Sequence, residues 1–145
     1  MTHTIALKET SSGAAAMDRL HFEFFEALEE LSATPDTDFA AGYRAFVCQV
    51  ERSFASEEEW METMDFPILK GHREQHARVL GALHHVYGHI MTGDIKGGRE
   101  VVDTLLPQWF SLHILTMDKI LASAMQSAGM HSAQSAYPPP AAYSA

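Results

Sequence analysis

The sequence predicts an all-α protein, an antiparallel up-down four-helix bundle with a metal site in its core. Three observations predict this class: four stretches repeat apolar residues at the helical period of about 3.6, short connections separate these stretches, and polar residues interrupt their apolar stripes. The chain has 145 residues, which suits one domain with a sizeable core. No stretch has the pattern of a strand.

The first predicted helix covers residues 14–31 and the second covers residues 38–64. Each has one apolar stripe at helical spacing. The stripes comprise Met17, Leu20, Phe24, Leu28 and Leu31 in the first helix, and Tyr43, Phe46, Val47, Val50, Phe54 and Met61 in the second. The second helix should end before Phe66 and Pro67, because the residue that precedes a proline disfavours helical geometry.

The third predicted helix covers residues 68–91 and the fourth covers residues 99–125, with the turn TGDIKGG between them. Pro107 lies inside the fourth helix, where it should remove one backbone hydrogen bond and produce a kink. The aligned residues are Leu69, Leu80, Leu83, Tyr87 and Ile90 in the third helix, and Val102, Leu105, Leu106, Trp109, Thr116 and Ile120 in the fourth.

The composition limits the domain organisation and the classes of partner. We predict a bundle over residues 14–126, a flexible segment at 1–13 and a disordered Ala/Ser/Pro tail at 127–145. The formal net charge of −9 argues against nucleic acid or an anionic membrane as the main partner. No run approaches the ~20 apolar residues that span a bilayer. Cys48 is the single cysteine, so a disulfide framework is excluded and a cytoplasmic setting is expected.

Five polar residues face the predicted core when each helix advances about 100° per residue. They are His21, Glu57, His72, His76 and His113. A buried carboxylate costs several kcal/mol unless it is paired or bound to a metal, and no Lys or Arg lies on these stripes. The pattern therefore indicates a metal centre, and imidazole combined with carboxylate favours iron, zinc or manganese over calcium.

Two other groups of residues are less clear from spacing. Asp118 follows His113 by five residues, which turns its side chain by about 140° on a regular helix. On helix geometry alone it is a solvated surface residue, and both could bind one metal only if the helix contained a π-type bulge. We interpret His84, His85 and His89, which lie at the margin of the apolar stripe or away from it, as a solvated face in preference to a second metal site.

Four stretches together resemble the hemerythrin family: MDRLHFEF, SFASEEEWM, FPILKGHREQHARVL and LPQWFSLHILTMD. The resemblance covers residues 17–121. It implies a four-helix bundle around a non-haem centre of two iron ions. It assigns three histidines to one iron, His72, His76 and His113.

The same resemblance implies that Glu57 and Asp118 bridge the two irons. The second iron would take His21 and a further histidine, and would keep one position open for dioxygen. That further histidine belongs four residues before the bridging glutamate, where this chain has Ser53. Water could fill the vacancy, Glu58 could turn inward, or the second ion could bind so weakly that the site often holds one metal.

Three functions are compatible with these residues. We favour a di-iron protein that binds dioxygen for storage, delivery or sensing, and therefore a binding protein over an enzyme, because most of the expected ligands stand at the expected spacing. Its small partner would be dioxygen or another small oxidant. The alternatives are a di-iron redox enzyme that consumes peroxide or nitric oxide, and a metal-depleted bundle with a structural or interaction role.

Overall fold

The computed structural model describes residues 14–129, and these form an antiparallel up-down bundle of four helices. Helix α1 covers Ala15–Ser32, α2 covers Asp36–Thr63 and α3 covers Leu69–Met91. The fourth, α4, is a continuous helical run over 95–127. The described part of the chain contains no strand. The predicted fold class is thus confirmed, whereas the predictions for residues 1–13 and for the tail from 130 onward lie outside the described residues.

The short connections have local causes in the sequence. Pro35 precedes α2 in extended geometry, and Asp36 and Asp38 in the first turn complement the helix dipole. Gly93 between α3 and α4 has a φ of 106°, which a residue with a side chain rarely adopts. The side chain of Asp94 then accepts a hydrogen bond from the backbone N–H of Gly97 and caps the start of α4. These turns return each helix alongside its predecessor.

The core consists of two apolar clusters with a polar layer between them. The larger cluster is built around stacked Phe24 and Phe110, whose ring centroids lie 3.6 Å apart. The smaller cluster surrounds Met17 and Trp60. On three helices a polar residue stands between the clusters: His21 between Leu20 and Phe24, Glu57 between Phe54 and Trp60, and Asp118 between Ile114 and Leu121.

Helix α4 departs from regular helical geometry in two places. Two π-helical segments alternate with three α-helical ones: Ile95–Glu100 (α), Val101–Leu105 (π), Leu106–His113 (α), Ile114–Asp118 (π) and Lys119–Ser127 (α). The first π segment ends two residues before Pro107, the residue at which the sequence predicted a kink. A π turn takes up an additional residue, so each one rotates the following side chains relative to a regular helix.

That rotation overturns two expectations for α4. Asp118, which regular geometry would expose, is fully buried. Leu105 and Ile120, which regular spacing placed on the apolar stripe, are each 52% exposed, and Thr116 of the same predicted stripe is exposed as well. The buried face of this helix instead contains Val102, Leu106, Phe110, His113, Ile114, Asp118, Leu121, Ala122 and Met125. The described helices include none long and apolar enough to cross a membrane.

The start of α4 packs closely on its neighbours at Gly98, and this contact gives a first prediction. A Cβ at Gly98 would lie 2.7 Å from Cδ1 of Ile90 and 3.0 Å from Cε2 of Phe39. We expect Gly98→Ala to lower the free energy of unfolding by about 1–3 kcal/mol, since overpacking a core costs that much. Urea unfolding would measure it.

The matched control for this prediction is Gly81→Ala, inside α3, where a Cβ has nothing within 4 Å. Because alanine is the better helix former, Gly81→Ala should raise the free energy of unfolding by about 0.5–1 kcal/mol. A Gly98→Ala variant as stable as this control would show that α4 is not packed closely against α3.

Candidate metal centre

Five buried side chains from three helices converge in the polar layer. They are Glu57 on α2, His72 and His76 on α3, and His113 and Asp118 on α4. Each is at most 2% exposed. One ligand atom from each side chain lies within 4.8 Å of all the others. The cluster therefore brings together three imidazoles and two carboxylates in a volume that suits a bound cation.

Local helix geometry places these donors. His72 and His76 are one turn apart on α3, so their rings share one face. His113 and Asp118 are separated by five residues, and the π segment Ile114–Asp118 brings them to the same face of α4. As a result, Nε2 of His113 lies 3.0 Å from Oδ1 of Asp118. The structure therefore contains the π-type bulge that His113 and Asp118 need in order to bind one metal.

The Nε2 atoms of the three histidines point at the carboxylates. Nε2 of His72 lies 3.0 Å from Oδ1 of Asp118 and 3.2 Å from Oε1 of Glu57. Nε2 of His76 lies 3.1 Å from the same oxygen of Glu57. Nε2 of His72 and Nε2 of His113 are 3.3 Å apart. All five ligand atoms thus face one another across a short gap.

Side chains behind two of the histidines orient them. Nδ1 of His76 donates a hydrogen bond to Oε2 of Glu58 at 2.9 Å, and Nδ1 of His113 donates to Oε1 of Gln75 at 2.5 Å. Each of these two oxygen atoms can only accept a hydrogen bond. In a neutral ring the proton therefore stays on Nδ1, and the lone pair on Nε2 faces the cluster. Arg73 also donates to Glu58, at 3.2 Å. Glu58 therefore supports His76 instead of turning inward toward the space beside Ser53.

Two aromatic rings pack against the same histidines. Phe54 stacks on His76 with ring centroids 3.8 Å apart, and Trp109 stacks on His113 at 4.8 Å. These contacts limit rotation of the imidazoles and shield them from water. The sequence had placed Phe54 and Trp109 on the apolar stripes of the second and fourth helices. It gave no signal for Gln75, which reads as an ordinary polar residue of α3.

His21 lies on the other side of Asp118. Its Nε2 atom is 2.9 Å from Oδ2 of Asp118, whereas Oδ1 faces His72 and His113. The carboxylate of Asp118 thus contacts histidines on both sides. His21 is not one of the five converging donors. The structure consequently offers one position with five protein donors and a second, poorer position next to His21.

Ser53 lies one helical turn before Glu57 on α2. It is buried but, at 8%, more exposed than His21 or any of the five converging donors. A neutral hydroxyl is a weak ligand for a transition metal compared with imidazole. Ser53 therefore adds no strong donor to the position beside His21.

The residues present fit a cation. Three atoms inside the cluster, Oε1 of Glu57, Nε2 of His76 and Oδ1 of Asp118, are buried without a hydrogen bond of acceptable geometry among the described residues. Buried polar atoms without partners are costly and need an explanation. Here the three atoms are close together and carry lone pairs, which a shared metal ion would satisfy. Imidazole and carboxylate donors suit iron, zinc or manganese.

The charges of the cluster shift its pKa values in the metal-free protein. Burial by itself lowers the pKa of His72, but the carboxylates of Asp118 and Glu57 outweigh it and raise the pKa to about 9. Burial would raise the pKa of Asp118, but His113, His21 and His72 hold it well below its usual value. In the metal-free cluster, the positive charge of protonated histidine thus balances the charge of the two carboxylates.

These shifts give a prediction for the stability of the metal-free protein. The pKa of His72 is raised on folding. Its contribution to the stability of the folded state is therefore complete below pH 6.5 and is lost as the pH rises through about 9. We expect the free energy of unfolding to fall between these two pH values, as measured by urea unfolding after metal removal. The dependence should be weaker in His72→Gln, where His76, whose pKa is also raised, still contributes in the same direction. A stability that rises across this range would contradict the assignment.

Asp118 makes stability change with pH in the opposite direction, under acid conditions. Its pKa is depressed on folding, so its contribution is present above 3.8 and is lost as the pH falls below that value. The same unfolding measurement should therefore show a second decline under acid conditions. Asp118→Asn should make that decline smaller, while Glu58, whose pKa is also lowered, still contributes to it.

The fold and the site together define a helical bundle with a buried histidine and carboxylate cluster for a cation, and sequence comparisons agree. Residues 12–125 match the model of the family described as hemerythrin HHE cation binding domain. The chain is 36% identical over 117 residues to a protein named bacteriohemerythrin from Ralstonia nicotianae, covering 81% of this chain and 85% of that one. No solved structure matches. The chain belongs to the hemerythrin family.

Proposed function

We propose that this protein binds two iron ions in the polar layer and uses the pair to bind dioxygen. The observation that carries the proposal is the convergence of five donors, three of whose atoms have no hydrogen-bond partner among the described residues. The similarity to a protein named bacteriohemerythrin supports it. Iron bound there would supply an open coordination position and the electrons that dioxygen needs.

The first metal position would be held by His72, His76 and His113 together with one oxygen from each carboxylate. Glu58 and Gln75 keep two of these imidazoles oriented through their Nδ1 atoms. Outer partners of this kind fix the tautomer of a metal-binding histidine and raise its basicity. The protein thus contributes a preorganised set of donors before any ion arrives.

The second position would be held by His21 and by the remaining carboxylate oxygens of Asp118 and Glu57. Oδ2 of Asp118 already faces His21. With Ser53 in place of a further imidazole, this position has only one nitrogen donor. We therefore expect the second ion to bind less tightly than the first and to exchange more readily with chelators.

Iron content per chain, measured by elemental analysis together with absorption spectra before and after dioxygen exposure, tests the proposal. Two irons, with charge-transfer bands that appear with dioxygen and disappear when it is removed, are the expected result. A folded protein that takes up no iron under anaerobic loading would refute the proposal and favour a structural role for the bundle.

Ser53→His is the matched variant for the second position. It should slow the release of the second iron to a chelator and leave the release of the first unchanged. Equal release rates in the native protein and the variant would mean that Ser53 does not weaken this position.

A redox enzyme that consumes peroxide or nitric oxide is the second candidate function. The greater exposure of Ser53 compared with the surrounding donors favours it, because a wetter, less completely coordinated iron suits turnover over reversible binding. Catalysed loss of peroxide or nitric oxide by the iron-loaded protein, with dioxygen-induced bands that do not reverse, would support this function over carriage.

A further inference from the structure

A second pair of histidines lies on the outer face of α3, far from the polar layer. His85 and His89 are one helical turn apart, and both are exposed. Nine residues separate His76 from His85, which corresponds to about 13 Å along the helix axis and half a turn around it. The pair therefore faces solvent on the opposite side of the helix from the buried cluster, and no function described above uses it.

The two rings already have the spacing of a chelate. Nε2 of His85 and Nε2 of His89 are 3.2 Å apart, with ring centroids 4.8 Å apart. Two nitrogens bound at 2.0–2.1 Å to a tetrahedral zinc ion are about 3.3–3.4 Å apart. One ion could therefore bind both Nε2 atoms with almost no movement of either side chain.

The surroundings of the pair are open. Gly81, Gly88 and Gly93 lie on or near this face, and a Cβ added to any of them would have nothing within 4 Å. Small neighbours leave room for an ion and for the water molecules that complete its coordination. Within residues 14–129 the structure pairs neither ring with a carboxylate. By contrast, the adjacent His84 lies 3.4 Å from Oε2 of Glu51.

We propose that His85 and His89 form a separate surface site for a divalent transition-metal ion of the kind that prefers imidazole, Cu²⁺ more strongly than Zn²⁺. The two Nε2 atoms are the protein ligands and water fills the remaining positions. The order of the ions follows from the general affinity series of nitrogen donors for first-row metals. The site does not depend on the proposed dioxygen function, because none of its residues contributes to the buried cluster.

Zinc titration of the iron-loaded protein, followed by calorimetry, tests the site. Zinc is a suitable probe because it has no redox chemistry. We expect about one zinc ion per chain that disappears in the double variant His85→Gln/His89→Gln. Each single variant should weaken this binding by roughly tenfold or more, which corresponds to about 1.4 kcal/mol.

The matched control is His84→Gln, which removes an exposed imidazole from the next position on the same helix. It should bind zinc like the native protein. A double variant that binds as many zinc ions as the native protein, or an equal loss of zinc in His84→Gln, would overturn the proposal. The comparison between the native protein and the double variant also holds if the core binds no iron. Both would then bind the same number of zinc ions in the core and would differ only in the surface ion.

A second readout locates the ion directly. In a proton nuclear magnetic resonance spectrum, the ring signals of His85 and His89 should shift during the zinc titration, while the ring signal of His84 should not. Shifts confined to other histidines would place the ion elsewhere and refute the site.

Discussion

Asp118→Asn is expected to abolish stable iron binding by the buried cluster. Asp118 contacts His72 and His113 through Oδ1 and His21 through Oδ2, so its carboxylate reaches both proposed metal positions. The amide keeps the shape of the carboxylate and removes its charge. Losing an outer partner of a ligand already costs about 10–100-fold in metal affinity, and losing a shared carboxylate should cost more.

Iron per chain after passage through a weak chelator measures this effect. We expect at least one iron to remain in the native protein and well under one in Asp118→Asn, with an unchanged far-ultraviolet circular dichroism spectrum. Asp103→Asn is the matched control, because it removes the same charge from an exposed position of the same helix, where Oδ1 of Asp103 accepts from Ser32. Full iron retention in Asp118→Asn would exclude this residue as a ligand.

Phe110→Ala is expected to cause the largest loss of stability. The ring stacks on Phe24 at 3.6 Å and meets Phe25 edge-on at 5.8 Å. It is almost fully buried in the larger apolar cluster. Truncating a buried phenylalanine costs about 3–5 kcal/mol, because the contacts are lost and a cavity remains.

The same substitution should also weaken metal binding. The ring of Phe110 lies 6.0 Å from both His21 and His113, so a cavity there would loosen histidines on the two sides of Asp118. Urea unfolding of the metal-free protein measures the first effect and iron retention measures the second. Leu112→Ala on the same helix, 61% exposed, should change stability by at most about 0.5 kcal/mol. Equal stability of the two variants would show that the aromatic cluster is not a major source of stability.

The first three helices could be read from the sequence almost residue by residue. Their buried faces keep one regular helical period, and their ends are marked by Pro35, by the Phe66-Pro67 pair and by the turn around Gly93. The inward positions of His21, Glu57, His72 and His76 followed from the same periodicity. All four are buried where the helical wheel placed them.

Helix α4 could not be read in this way. Its two π segments change the register of the side chains, so spacing alone placed Leu105 and Ile120 inside and Asp118 outside, and the structure reverses all three. No single residue of ILTMD indicates a π turn. The turn forms where it brings Asp118 to the face of His113, and only the family resemblance had placed Asp118 at the site.

The sequence by itself determined the four helices, the family and the set of polar residues that enter the core, because helical periodicity is a local property of the chain. Only the tertiary structure decided which nitrogen of each histidine faces the cluster, that Glu58 supports His76, and that Asp118 joins the two sides of the site. It also showed that His85 and His89 meet at chelating distance. These features depend on side-chain directions and on contacts between helices, and residue spacing along one helix does not encode them.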